Sequence, residues 1–204
     1  MAGALRIAVL VSGEGTTAEA LAARWDVPGA PAEIVLAVAD RPCPAIARLA
    51  LRGIPGRVIA RRGTDPGTWA EDVAHALAGA RADLVVLAGF LSVVPDPVLE
   101  RFHDRVINVH PSLLPRFGGR GMYGERVHAA VLADGSPETG VTVHLVTPSV
   151  DAGPILWQKA IPVGTATTPE ALRERVRPLE VDGLAEVVAS YARLGHAPPA
   201  ISPR

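Results

Sequence analysis

Five short runs rich in branched apolar residues punctuate the chain before Pro111: Leu5 to Val11, Ile34 to Ala39, Arg57 to Ala60, Leu84 to Ala88 and Val106 to Val109. A strand with one wet face shows strict apolar-polar alternation. Near-continuous Val, Ile and Leu runs instead predict strands covered on both faces, as in a parallel sheet. Between them, Thr17 to Trp25, Pro44 to Arg52, Pro66 to Ala78 and Pro97 to Phe102 carry apolar residues at three-to-four spacing, the mark of amphipathic helices. That order predicts right-handed crossovers and an open, mostly parallel, doubly wound (Rossmann-like) α/β sheet. Its ligands should sit at the carboxyl ends of the strands.

After Pro111 the pattern changes. Gly140 to Thr147 alternates, with Val141, Val143 and Leu145 on one side and Thr142 and His144 on the other, and Ile155 to Pro162 reads as its antiparallel neighbour. Pro169 to Leu194 reads as a final helix, interrupted or bent near Pro178. Residues 1–196 are expected to form a single domain, and the Pro-rich stretch 197–204 a loose tail. Phe117 to Glu125, FGGRGMYGE, has four glycines in nine residues and is expected to be mobile.

Composition narrows the function classes. Twenty Lys plus Arg against twenty-one Asp plus Glu give a net charge of -1, so no global field favours nucleic acid or anionic lipid. No apolar run approaches the ~20 residues of a membrane span, and Leu5 to Val11 is too short for a signal-peptide core. The expectation is a cytoplasmic protein, monomer or homodimer. Cys43 is the only cysteine, which excludes an internal disulfide and a multi-cysteine metal site; it reads as a small buried hydrophobe.

Two segments carry the chemistry. VSGEGTT, Val11 to Thr17, follows the first strand and opens a helix, so Gly13 and Gly15 let the backbone approach a ligand. Free N–H groups there, toward Thr16 and Thr17, favour a phosphate. A plain turn is the alternative. Asn108 and His110 stand two residues apart at a strand end and so share one face. A neutral amide can donate to an oxygen that gains charge, and an imidazolium beside it adds to the same task, which suits acyl or formyl transfer. Asp151, in the turn TPSVDAGPI, could orient the histidine, although a lone Asp in a turn is commonly a backbone cap. His144 reads as structural.

Taken together, four motifs resemble the folate-dependent formyltransferases, and within them those acting on glycinamide ribonucleotide: VLVSGEGTT, LVVLAGFLSVV at 84–94, INVHPSLLPRF at 107–117 and TGVTVHLVTPSVDAGPIL at 139–156. The resemblance implies 10-formyltetrahydrofolate as donor, glycinamide ribonucleotide as acceptor and no metal. It implies that Asn108 and protonated His110 stabilise a tetrahedral oxyanion while Asp151 holds the histidine and mediates proton transfer. It places the pterin against Phe90, Leu91, Val93 and Val94 and against Val146, Thr147 and Val150. The acceptor falls to Gly13, Gly15, Thr16, Thr17, Pro111, Gly119 and Glu180, with Arg120 or Tyr123 touching it from the glycine-rich loop, and Arg177 is either a phosphate contact or solvated.

Three features depart from the family pattern. Glu14 and Thr17 replace residues that are usually small or Asn, and a carboxylate beside a phosphate costs Coulomb energy unless it points away or pairs with a cation. Ser92 stands where Arg is common, which predicts weaker binding of polyglutamylated folate. The loop FGGRGMYGERVH is longer than in many members. Two other readings stay open: a paralogue formylating another small amine, such as an amino sugar nucleotide, and a non-catalytic folate- or nucleotide-binding module.

Overall fold

A computed structural model describes residues 3–203. Seven strands, β1 (Leu5–Val11), β2 (Ala32–Ala39), β3 (Gly56–Val58), β4 (Leu84–Leu87), β5 (Val106–His110), β6 (Glu138–Leu145) and β7 (Ile155–Pro162), form one sheet in the order β3-β2-β1-β4-β5-β6-β7. β1 to β5 are parallel, and β6 runs antiparallel to both β5 and β7. The helices are α1 (Thr16–Trp25), α2 (Pro44–Ala50), α3 (Pro66–Gly79), α4 (Asp96–Arg101), α5 (Glu125–Ala133) and α6 (Pro169–Leu194).

Alternation along the buried strands sorts the core into two layers. Ile7, Val9 and Val11 of β1 face Leu21, Leu184 and Val188 of α1 and α6, whereas Ala8 and Leu10 face Trp69, Val73 and Leu77 of α3. The strand order reverses direction between β1 and β4. At such a switch point the two following connections diverge and leave a crevice beyond the carboxyl ends of the strands.

Two expectations about local structure change. α5 follows directly from the glycine-rich stretch, where no helix was expected; Val127 and Val131 bury one face of it. α6 is not interrupted at Pro178: one helix runs from Pro169 to Leu194 with that proline inside it. The stretch 196–203 holds no helix or strand, yet the Ile201 N–H donates to the Ile155 carbonyl at 2.8 Å, so the tail is tied to β7. Among the described residues no helix is long and apolar enough to cross a membrane.

Candidate active site

Beyond β1, β4 and β5 lies a cavity of about 530 Å³. Asn108 and His110 leave β5 on the face that Val106 shares with α3 and α4. Those helices cover the β1–β4 end of that face, so the polar positions of β5 and β6 fall under loops rather than helices. Both strand residues line the cavity, as do His144 and Asp151.

The hydrogen bonds fix where the protons sit. His144 is the cross-strand partner of Asn108. Its Nδ1 lies 2.8 Å from the Leu145 carbonyl oxygen, which can only accept, so Nδ1 carries the proton. Nε2 is then the acceptor for the Asn108 amide nitrogen at 3.1 Å, and Asn108 keeps its second N–H for another oxygen. His110 donates from Nε2 to the Phe117 carbonyl at 2.8 Å by the same reasoning. Its Nδ1 faces Asp151 Oδ2 at 3.6 Å, while Oδ1 of the same carboxylate lies 3.7 Å from His144 Nε2. The Gly119 N–H donates to Asp151 Oδ2 at 2.9 Å.

Burial lowers the pKa of His110, against the opposing pull of Asp151 and the Phe117 carbonyl. Burial likewise lowers that of His144, opposed by the Leu145 carbonyl and Asp151 and reinforced by His110. The resting pair is therefore neutral, with one unprotonated nitrogen of His110 turned to a carboxylate. A proton arriving at that nitrogen gains Asp151 as its counter-charge. The arrangement can accept one proton and present N–H donors to an oxygen that becomes negative.

Backbone geometry holds these groups. Asp151 has φ 55, in the left-handed region, and the turn that carries it closes with the Ala152 N–H on the Ser149 carbonyl. Gly153 follows because a Cβ there would lie 1.9 Å from the Leu145 carbonyl oxygen. The exit from β5 is fastened by Thr142 of β6: its hydroxyl donates to the Ser112 carbonyl at 2.7 Å and accepts from the Leu114 N–H at 3.0 Å and Gln158 Nε2 at 2.9 Å.

Phe90, Leu91, Val93 and Val94 line the cavity together with Val146, Thr147 and Val150, and Thr16, Thr17, Pro111, Gly119 and Glu180 also reach it. Gly13 and Gly15 do not. The Gly13 carbonyl accepts from the Ala45 N–H at 3.1 Å, and Gly15, at φ 72, would drive a Cβ to within 2.5 Å of Ala45 Cβ. Both glycines seat the start of α1 against α2, and their neighbours Glu14, Thr16 and Thr17 are the ones that face inward. No side chain caps the N-terminus of α1, so its first amides remain available to an anion. Thr17 donates to Glu180 at 2.9 Å; burial raises the pKa of that carboxyl, countered by Thr17, Arg177 and Arg173.

The departures acquire physical explanations. Glu14 pairs with Arg48, 3.4 Å from Nη2, and Arg48 Nε donates to the Glu14 carbonyl at 2.9 Å. Ser92 turns its hydroxyl to the buried Asp40, 2.6 Å away, and Asp40 also accepts both arms of Arg41 at 3.0 and 2.8 Å. Burial alone would raise the Asp40 pKa, but the bonds from Arg41, Ser92 and Ser12 hold it below the ordinary value. Ser12 in turn accepts the Leu91 N–H at 2.8 Å, so the Phe90–Ser92 wall is pinned to β1 and β2.

Sequence reasoning passed over His128 and Arg173, which line the cavity from α5 and α6, and it read His144 as structural although that ring is bonded to Asn108. The sequence pairs His144's strand only with Ile155 to Pro162, and the β5–β6 pairing that sets His144 opposite Asn108 emerges from the structure. Arg120, Tyr123 and Arg177 also line the cavity. Among the described residues no group of three or more His, Cys, Asp or Glu side chains is placed to hold a metal ion.

Residues 5–188 match the family described as Formyl transferase. The chain is 39% identical over 194 residues to a phosphoribosylglycinamide formyltransferase of Mycobacterium tuberculosis, covering 93% of this chain and 86% of that protein. It is 39% identical over 178 residues to the trifunctional purine biosynthetic protein adenosine-3 of Gallus gallus, 86% of this chain, and spans only 17% of that protein's length. The crystal structure of glycinamide ribonucleotide transformylase 1 from Symbiobacterium toebii superposes with a TM-score of 0.86 at 32% identity, over 93% of this chain and 88% of that one.

Proposed function

Because the chain belongs to the formyl transferase family, we propose that it transfers the formyl group of 10-formyltetrahydrofolate to the amine of glycinamide ribonucleotide, a step of purine synthesis. The observation that carries this reading is the convergence of Asn108, His110, His144 and Asp151, from β5, β6 and the β6–β7 turn, on one cavity.

The cavity suits the two substrates at different places. Phe90, Leu91, Val93, Val94, Val146 and Val150 offer an apolar slot of the kind that takes a flat heterocycle. The uncapped start of α1, with Thr16, Thr17 and Arg177 beside it, suits the acceptor's phosphate, and Glu180 suits its ribose hydroxyls. Arg48, shared between Glu14 and Glu19, offsets part of the Glu14 charge, which supports a phosphate at this turn.

The folate supplies an activated one-carbon carbonyl. Asn108 then donates its unspent amide N–H to the carbonyl oxygen as charge develops there, and His110 adds a second donor once protonated. The amine nitrogen bonds to the formyl carbon; Asp151 stabilises the proton on His110 and relays the proton released by the amine to the folate nitrogen, whose bond to the formyl carbon then breaks. His144 accepts from Asn108 and so keeps the amide nitrogen, rather than its oxygen, turned toward this task.

Mixing the protein with a formylfolate analogue and glycinamide ribonucleotide, and following the absorbance of the deformylated folate, tests the reading. Turnover should collapse in Asn108→Ala and Asp151→Ala. Full activity in both variants would reject it.

A further inference from the structure

Two short backbone contacts frame the His110–Asp151 pair from a stretch to which the chemistry above gives no role. The Phe117 carbonyl accepts from His110 Nε2 at 2.8 Å, and the Gly119 N–H, two residues later, donates to Asp151 Oδ2 at 2.9 Å. Gly118, between them, lies so close to the site that a Cβ there would run into Leu114 and press on the Asp151 side chain.

Phe117 reaches His110 only through an uncommon conformation. Its φ is 56, in the left-handed region, where a bulky side chain is a rare outlier. Among the described residues four non-glycine residues have positive φ, and two of them, Phe117 and Asp151, face the same imidazole. Unfavourable backbone of this kind persists only where the surroundings over-determine it. Here they do. The buried Ser112 hydroxyl donates to the Arg116 carbonyl at 2.7 Å, and the Arg116 guanidinium lies 4.9 Å from the centre of the Phe117 ring while bonding Asp134 at 2.7 Å.

The position of the Phe117 carbonyl decides where the ring keeps its proton. A neutral imidazole has one N–H to give, and two acceptors compete for it: the carbonyl at Nε2 and the Asp151 carboxylate at Nδ1, 3.6 Å away. A carboxylate is the stronger acceptor, so without the carbonyl the proton would pass to Nδ1. The nearer carbonyl holds it on Nε2, and Gly119 gives Asp151 the donor that the ring withholds. Nδ1 is thereby left bare beside a negative charge.

We infer that Phe117 is a positioning residue for His110: its left-handed backbone aims the carbonyl at Nε2 and so reserves Nδ1, opposite Asp151, as the nitrogen that takes up the proton. The inference deepens the proposed function and rests on it.

Three variants and one spectroscopic signature test it. Nitrogen NMR of the imidazole tells the two neutral tautomers apart whether or not the protein turns over, and the wild-type ring should read as protonated on Nε2. Phe117→Gly and Phe117→Asn tolerate the left-handed region, whereas the β-branched side chain of Phe117→Val does not. The Gly and Asn variants should keep the tautomer and most of kcat. The Val variant should shift His110 toward the form protonated on Nδ1 and lose about tenfold in kcat, the weight of one hydrogen bond, with both KM values unchanged. Packing alone predicts the reverse order, since Phe117 packs against the apolar core and Val replaces more of that contact than Gly or Asn. A Val variant that matches or exceeds the Asn variant in kcat, or a wild-type ring protonated on Nδ1, overturns the inference. If the Val variant does not fold, loss of the Nε2 tautomer in both the Gly and Asn variants overturns it. A wild type inert toward glycinamide ribonucleotide overturns the proposed function, while the tautomers still decide the positioning of the ring.

Discussion

The side-chain nitrogen of Asn108 lies 3.1 Å from Nε2 of His144, directly across the antiparallel rung that joins β5 to β6. Because His144 donates its other nitrogen's proton to the Leu145 carbonyl, the pair leaves Asn108 oriented as a donor toward the cavity. The catalytic proposal depends on that orientation. Asn108→Ala should lower kcat by about 100- to 1,000-fold, as loss of one oxyanion donor does elsewhere, with little change in either KM. Steady-state kinetics at saturating donor measure it, and a variant whose defect lies wholly in KM would contradict the role.

Asp151 raises the pKa of His110 against the larger lowering effect of burial. Asp151→Asn removes that support, so the His110 ring should titrate at lower pH than in the wild type. NMR of the imidazole carbon-bound protons follows this directly. An unchanged or higher midpoint would show that the carboxylate does not sense the ring.

Stability should fall in acid, and His128 should account for part of the fall. Its pKa drops from 6.5 to about 4 on folding. Between these values the unfolded chain binds a proton that the folded chain refuses, so stability is lost as pH decreases through this window. At about 1.4 kcal/mol per pH unit, His128 contributes about 3 kcal/mol to that loss. His110 and His144, whose pKa values are also lowered, act in the same direction. Urea melts at pH 7.5 and 4.5 should show His128→Leu losing about 2–3 kcal/mol less than wild type over this range. Parallel losses in the two proteins would rule out a buried neutral ring.

Thr142→Val should destabilise the molecule without altering its shape at the surface. The substitution takes the acceptor from the buried Leu114 N–H and the donor from the Ser112 carbonyl, while Gln158 keeps its bond to the Leu114 carbonyl. Each buried group left unpaired costs about 1–3 kcal/mol, and for a chain of this size each kcal/mol moves Tm by roughly 2–4 °C. Thr142→Ser keeps the hydroxyl and should retain most of the wild-type Tm. Equal melting of the Val and Ser variants would deny the hydroxyl its structural part.

Asp40→Ala should weaken the formylfolate side alone. It releases Ser92 and Arg41 and, through Ser12, loosens the Leu91 N–H, so the KM for 10-formyltetrahydrofolate should rise while that for the acceptor holds. A matching rise in both constants would mean that Asp40 supports the whole sheet edge instead.

Much of this architecture was legible in the sequence for a simple reason: strands buried on both faces, such as Leu84–Leu87, cannot hide their composition. Asn108 and His110 were legible because polar residues ending such a strand are costly unless something uses them. Other features were hidden where a local signal has two physical meanings. Gly13 and Gly15 read equally well as ligand contacts or as packing against α2; the structure shows the Gly13 carbonyl bonded to the Ala45 N–H and Gly15 packed on Ala45, and the two roles are compatible. α5 was obscured by the glycines before it, although Val127 and Val131 repeat at helical spacing. His128 gave no signal at all, because a lone histidine beside apolar residues carries no mark of what its ring faces across the fold.

The rung between β5 and β6 also sets limits on ancestry. Inserting or deleting one residue between Thr142 and His144 would turn one of the two to the opposite side of the sheet, so that either the imidazole leaves Asn108 or the Thr142 anchor is lost. Residues 120–124 carry no such register, since none belongs to a strand. Length changes among descendants of this fold should therefore accumulate in that loop, while the hairpin keeps its count.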